Sequence, residues 1–307
     1  MKALKGVIPA LVTPFSSDGS VNYGSLMKLV EFHLQAGVGG LYLTGSTGEW
    51  VKLTLEERKK IAEVVVDVVA GAIPIVAHIG HNHTDQAVKL CEHAASIGVD
   101  LASAVIPGYH NYTIQEVASY YRSIAKVGLP VIVYYLDGNS QFFTPRVFVE
   151  EIGTIEGVIG LKYTAADLFP MQTIQRLSGG SLRVWCGHDQ MALAGLLMNA
   201  TGIIGSSYNY MPEIFVELYD AYVAGNLALA QDLQLEANWI SFAVKEIGLV
   251  PAYKAVLRMR GIDVGDCRAP SLPMVQKELE ALELIIERFS NRLKKIAPRG
   301  DQLSLVR

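Results

Sequence analysis

The sequence is short of cysteine and of charge. Cys91, Cys186 and Cys267 are the only three cysteines in 307 residues. An odd, scattered set builds no disulfide framework and suits a reducing compartment, so the expectation is a cytoplasmic protein. Charged residues make up 18% of the chain and the net charge is −4. No basic patch stands out, which argues against nucleic acid as a partner. No apolar run approaches the roughly 18 residues of a membrane span, so no membrane is expected either. No secretion signal is expected either. "MKALKGVIPALVTPF" joins a little positive charge to an apolar stretch, but Pro9 and Pro14 interrupt it and no small-residue cleavage site follows. Metal ligands are scarce. His78, His81 and His83 in "AHIGHNH" straddle a strand end and a helix start, with no carboxylate before Asp85. Converging ligands and supporting groups are not in view, so no metal is expected. "AGVGG" (36–40) precedes a strand, whereas a dinucleotide loop follows one. No cofactor is expected.

What is present is apolar and alternating. Half of the residues are hydrophobic, enough for a large core. Short runs rich in Val and Ile fall at 6–15, 39–47, 74–80, 100–107, 130–136, 158–164, 182–188 and 202–209. Between them lie segments of helical period. "TLEERKKIAEVVVDVVAG" (54–71) opens with a capping box, Thr54 with Glu57 three residues on. "TDQAVKLCEHAASIG" (84–98) ends on Gly98, a suitable helix terminus. Near-continuous apolar strands separated by helices imply a parallel sheet covered on both faces. Eight such units predict an α/β fold of the (β/α)8 TIM-barrel kind, with a doubly wound open sheet as the competitor. After "GIIGSSYN" the pattern is helical only, from about Leu227 to Ile296, with breaks at Gly248–Pro251, Gly261–Pro273 and Pro298. The expected organisation is a catalytic barrel over 1–224 and a small C-terminal helical region over 225–307, ending in a polar tail.

One residue is out of place in this pattern. "VIGLKYT" reads as a buried strand, yet it carries Lys162. With Leu161 and Tyr163 facing the helices, alternation turns Gly160, Lys162 and Thr164 to the barrel interior. Lys162 then lies toward the C-terminal strand end, where barrel enzymes hold their chemistry. Two plain roles also suit such a lysine: snorkelling to solvent, or pairing with a carboxylate. The chemical role is different. Desolvation penalises an ammonium and frees the amine to attack a carbonyl, giving a Schiff base. The iminium is an electron sink that makes carbon–carbon cleavage feasible without a metal.

The neighbouring strand ends offer partners. In "TGSTGEW" (44–50), Ser46 and Thr47 stand on a glycine-flanked turn whose hydroxyl and N–H groups could hold a carboxylate, though the same residues also make an ordinary turn. It is not a phosphate loop, since no Gly-Lys-Ser/Thr follows. The fifth run ends in Tyr134 and Tyr135, of which only one points inward. Phase does not say which. The inward one could relay a proton.

Together these residues resemble the dihydrodipicolinate synthase/N-acetylneuraminate lyase family, the Schiff-base class I pyruvate-dependent aldolases. The resemblance runs from "GVIPALVTPF" to "RMRGIDVGDCRAP", through "GSTGE", "PVIVY", "GLK" and "GIIGSSYN". It implies that Lys162 forms the Schiff base and that Tyr134 is the acid/base tyrosine. It also implies that Ser46 and Thr47 grip the pyruvyl carboxylate. Tyr109 in "IPGYHNY" matches a tyrosine that crosses a subunit interface in the family, whose members are commonly tetramers built as dimers of dimers. A homotetramer acting on a small 2-keto acid, pyruvate at its core, is therefore expected.

Within the family the lyase side is nearer. Synthases that condense pyruvate with aspartate semialdehyde carry an arginine where this chain has Asn139. Sugar-binding positions of the lyases match Thr164, Gly187, Asp189 and Ser206. Two departures stand against N-acetylneuraminate itself: Tyr135 where the lyases usually have Asn, and Gln190, at the edge of the expected substrate wall, where they usually have Glu. The expected reaction is retro-aldol cleavage of a 2-keto-3-deoxy sugar acid to pyruvate and an aldehyde. The alternatives are dihydrodipicolinate synthesis, dehydration of such a sugar acid, or a ligand-binding homologue without turnover.

Overall fold

The computed structural model describes residues 3–107, 112–136 and 144–289. Eight strands carry the fold: β1 (Gly6–Pro9), β2 (Leu41–Leu43), β3 (Ile75–His78), β4 (Leu101–Val105), β5 (Val131–Leu136), β6 (Val158–Thr164), β7 (Arg183–Cys186) and β8 (Gly202–Gly205). The order around the sheet is β1-β8-β7-β6-β5-β4-β3-β2, and every pairing is parallel. A parallel bridge from Ala10 to Tyr42 joins β1 to β2 and closes the ring. That closure excludes the open doubly wound sheet.

The helices between the strands are α1 (Tyr23–Gln35), α2 (Leu55–Val69), α3 (Thr84–Ser96), α4 (Ile114–Ala125), the short α5 (Pro145–Val147), α6 (Phe169–Leu177) and α7 (Ala192–Leu197). Beyond β8 come α8 (Pro212–Val223), α9 (Leu227–Ile247), α10 (Val250–Met259) and α11 (Gln276–Arg288). Local signals placed the ends. The Thr54–Glu57 capping box starts α2, and Gly98 takes φ +86° just past α3, a conformation that costs glycine little.

The apolar interior has two parts. A large core lies between strands and helices. A smaller one fills the barrel axis with Ile8, Tyr42, Val76, Leu101, Ile132 and Trp185, so the barrel is packed below and open to chemistry only above. No described helix is long and apolar enough to cross a membrane.

Candidate active site

The two tyrosines of β5 part company. Tyr134 shares the parity of Ile132, which belongs to the barrel axis, and its ring meets Tyr42 at 6.3 Å. Tyr135 points the other way and stacks on Tyr163 at 5.2 Å, nearly parallel at 11°, in the core beneath the helices. Alternation therefore turns Lys162 inward. It stands in register between Tyr134 on β5 and Trp185 on β7. The residue is 5% exposed, and its Nζ lies 4.1 Å from the Tyr134 ring centre and 4.3 Å from that of Tyr42. Among the described residues no ion pair involves Lys162. Neither plain role, snorkelling or carboxylate pairing, fits this geometry.

Gly160, two residues before Lys162, has its nearest constraint on β7, where any Cβ at this position would collide with the Arg183 carbonyl. The glycine lets β6 and β7 approach, and so sets the register that carries Lys162.

The loop after β2 is tightly held. Thr44 and Glu49 both take positive φ, 48° and 59°. The Thr44 hydroxyl donates to the His78 carbonyl at 3.1 Å, and Thr13 donates to the Gly48 carbonyl at 2.7 Å. Of the expected carboxylate pair, Ser46 is exposed and Thr47 is buried. Thr47 Oγ1 lies 2.6 Å from Ser206 Oγ, across from the loop after β8. That loop is fixed in turn by Asp189, whose Oδ2 accepts from the backbone N–H of Ser206 at 3.1 Å and of Ser207 at 2.7 Å. Asn209 bridges back to the chain after β1, accepting from Val12 N–H at 2.9 Å and donating to the Ala10 carbonyl at 2.7 Å. Thr164 stands against Gly187, where a Cβ would strike its hydroxyl. The Thr164 Oγ1 is buried with no hydrogen-bond partner among the described residues, an acceptor and donor left for something else. Gln190 is half-buried, and its carbonyl accepts from Asn238 of α9 at 3.2 Å.

The structure thus brings Lys162 beside Tyr134, Thr47 beside the Ser206 that Asp189 holds, and Thr164 beside Gly187. Tyr109 and Asn139 lie outside the described residues.

Three participants were given no role in the site by the sequence reading. Tyr42 presents its ring to Lys162 while its hydroxyl donates to Ser103 at 3.0 Å. Burial holds that phenol neutral, far above its ordinary range. A lone aromatic with the parity of Thr44 in "GGLYLTGST" was the available signal. His78 is the second. Its Nδ1 lies 3.0 Å from the Thr44 carbonyl and its Nε2 accepts from Val105 N–H at 3.2 Å, which assigns a neutral tautomer. Burial, then the charges of Arg58 and Lys162, push its pKa well below the usual value. This histidine braces loops, and among the described residues no cluster could hold a metal ion. The third is Glu49, a buried carboxylate paired with Lys254 of α10 at 2.9 Å.

A closed parallel barrel whose polar groups gather at the C-terminal strand ends is the arrangement of a barrel enzyme. The chain belongs to the dihydrodipicolinate synthetase family, whose model matches residues 3–289. It is 35% identical over 280 residues to an N-acetylneuraminate lyase of Rhizobium meliloti, covering 91% of this chain and 93% of that protein. Among solved structures it is similar to the N-acetylneuraminate lyase of Mycoplasma synoviae, with TM-score 0.88, 30% identity, and 94% and 98% of the two chains covered. A catalytic-lysine mutant of the sialic acid aldolase of Ruminococcus gnavus gives TM-score 0.91 at 26% identity, covering 96% and 99%.

Proposed function

We propose that this protein is a carbon–carbon lyase that cleaves an N-acetylneuraminate-like 2-keto-3-deoxy sugar acid to pyruvate and an aldehyde through a Schiff base on Lys162. The observation that carries the reading is a buried lysine with no ion pair among the described residues, its Nζ between two tyrosine rings. The substrate carboxylate is held by Ser46 and Thr47. The Lys162 amine attacks C2. The carbonyl oxygen takes one proton from the amine and one from Tyr134 and leaves as water, so that a C=N bond with one positive charge and a Tyr134 phenolate remain. Tyr134, helped by the substrate carboxylate, takes the proton from the C4 hydroxyl. The C3–C4 bonding pair then flows into the iminium, an aldehyde departs and an enamine stays on the lysine. Protonation at C3 and hydrolysis release pyruvate and restore the amine.

Beyond C4 the chain would meet Thr164, Gly187, Asp189, Gln190 and Ser206, a wall of small hydrogen-bonding groups with one carboxylate. Such a wall suits hydroxyls and disfavours a second anion. Tyr135, one of the two departures from the lyase pattern, stacks outside the barrel on Tyr163. It therefore weighs little against N-acetylneuraminate as the first substrate to try. We further propose a cytoplasmic homotetramer, a dimer of dimers, in which Tyr109 reaches the neighbouring site.

Borohydride reduction in the presence of pyruvate is the test. It should add the mass of one reduced pyruvyl group per chain and none in Lys162→Ala. Labelling that survives the substitution removes Lys162 from its role. Trapping without turnover of any 2-keto-3-deoxy acid would favour a ligand-binding homologue.

A further inference from the structure

Lys254 is an unusual resident of α10. It is fully buried, flanked by Tyr253 and Ala255 in the same core. A buried ammonium costs several kcal/mol unless it is well paired. Its partner is Glu49, whose Oε1 lies 2.9 Å from Lys254 Nζ. Lys254 also donates to the Asp266 carbonyl at 2.9 Å and stands 4.4 Å from the Phe15 ring centre. The other oxygen of Glu49 accepts from Lys52 Nζ at 2.8 Å and from Arg268 N–H at 3.1 Å. All of this converges on a residue in a left-handed backbone conformation, φ 59° and ψ 37°, which a non-glycine residue adopts at a cost. Glu49 N–H donates to the Ser46 carbonyl at 3.1 Å, and Trp50 N–H to the Gly45 carbonyl at 3.3 Å. The turn that presents Ser46 and Thr47 is therefore closed by Glu49, and Glu49 is held from behind by the chain beyond the barrel.

We infer that Lys254 is a positioning residue for the substrate carboxylate: its ion pair with Glu49 fixes the Ser46–Thr47 turn and, together with Lys52, cancels a negative charge that would otherwise repel the ligand. The inference rests on the reading of Lys162, Ser46 and Thr47 given above. Two physical effects act in the same direction. The pair holds a strained turn in one geometry, so that Thr47 stays within reach of Ser206. It also shares with Lys52, 2.8 Å from the other oxygen, the neutralisation of a carboxylate two residues past Thr47, in a buried setting where charge is little screened. A loosened cradle weakens binding of every species that carries the carboxylate, ground state and transition state alike. The signature is a raised KM with kcat less affected.

The experiment measures the pyruvate concentration that half-saturates borohydride trapping on Lys162, together with KM and kcat for N-acetylneuraminate cleavage. Lys254→Met keeps the length and removes the charge. It should raise the half-saturating pyruvate concentration and KM about tenfold or more, with a smaller fall in kcat. Arg260→Met is the control. It breaks another buried ion pair, Arg260 with Glu213 at 3.0 Å, and should cost stability without moving pyruvate half-saturation. If Lys254→Met does not fold, the charge-neutral pair Glu49→Gln/Lys254→Met decides. It removes the repulsion along with the tie, and half-saturation should still rise. Unchanged half-saturation in a folded Lys254 variant, or an equal rise in Arg260→Met, overturns the inference. A wild-type chain that traps no pyruvate defeats the site reading first and takes this inference with it.

Discussion

His33 sits on α1 with both ring nitrogens buried and without hydrogen-bond partners among the described residues. Burial, with the nearby charge of Arg260, lowers its pKa to about 3. An unfolded chain takes up this proton near pH 6.5, whereas the folded chain refuses it until about 3. The unfolded state therefore binds more protons in that window, and stability falls as the pH drops from about 6.5 toward 3. The full loss from this group is of the order of 5 kcal/mol at most. His78 contributes with the same sign. In His33→Leu the fall should be shallower. Melting temperatures at closely spaced pH values, wild type against variant, measure it. Parallel slopes would show that His33 is not among the groups that set acid stability. Nothing in "EFHLQ" announces this. A histidine at a core-facing helical position looks the same in sequence whether it finds a partner or not.

At the scale of the element, β6 decides the site. Its register with β5 shifts between Val131 and Ile132, so that Val131 faces Val158 while Ile132 faces Gly160. Ile159 is the extra residue, and it packs against the barrel-axis cluster. Period-two alternation from Leu161 and Tyr163 placed Lys162 inward correctly, because the irregularity lies upstream of those residues. The irregularity itself was illegible, since a bulge is a property of two strands and the sequence displays one at a time. The same limit hid the reason for Gly160, whose collision partner lies on β7. Helix starts and stops were legible because their signals are local, as Thr54 and Gly98 show. Tyr134 and Tyr135 were ambiguous by phase alone and were separated only by the family likeness and then by the fold. Gly160→Ala should force β6 away from β7, at a cost of about 2 kcal/mol or more, and should carry Lys162 out of register. Denaturant unfolding together with pyruvate trapping tests both halves. Full stability with normal trapping would mean that the strands tolerate the methyl group.

For the whole molecule, closure of eight parallel strands puts residues from every part of the chain at one end of a packed barrel. Runs of Val and Ile made that closure foreseeable; the pairs that tune it were not. Glu49 and Lys254 are far apart in sequence, each unremarkable alone, and only the folded chain sets them 2.9 Å apart. The choice of substrate is also a property of the assembled wall. Thr164, Gly187 and Ser206 offer no positive charge, and the one ionisable member, Asp189, is negative and already holds the backbone of Ser206 and Ser207. An aldehyde bearing its own carboxylate needs a cation there. By the family resemblance, Asn139 stands where the synthases carry an arginine. Losing a hydrogen bond from a charged group costs roughly 1.5–3 kcal/mol, about ten- to more than a hundredfold in rate or affinity. Pyruvate release from N-acetylneuraminate and other neutral-chain 2-keto-3-deoxy acids should therefore exceed condensation of pyruvate with aspartate semialdehyde. The condensation should stay below a kcat/KM of about 10⁴ M⁻¹s⁻¹, the low end for ordinary enzymes. A coupled assay of pyruvate release beside a cyclisation assay on the same preparation makes the comparison. Condensation at or above that level would mean that a cation other than one at position 139 completes the site, and the polyhydroxy-substrate reading would fall.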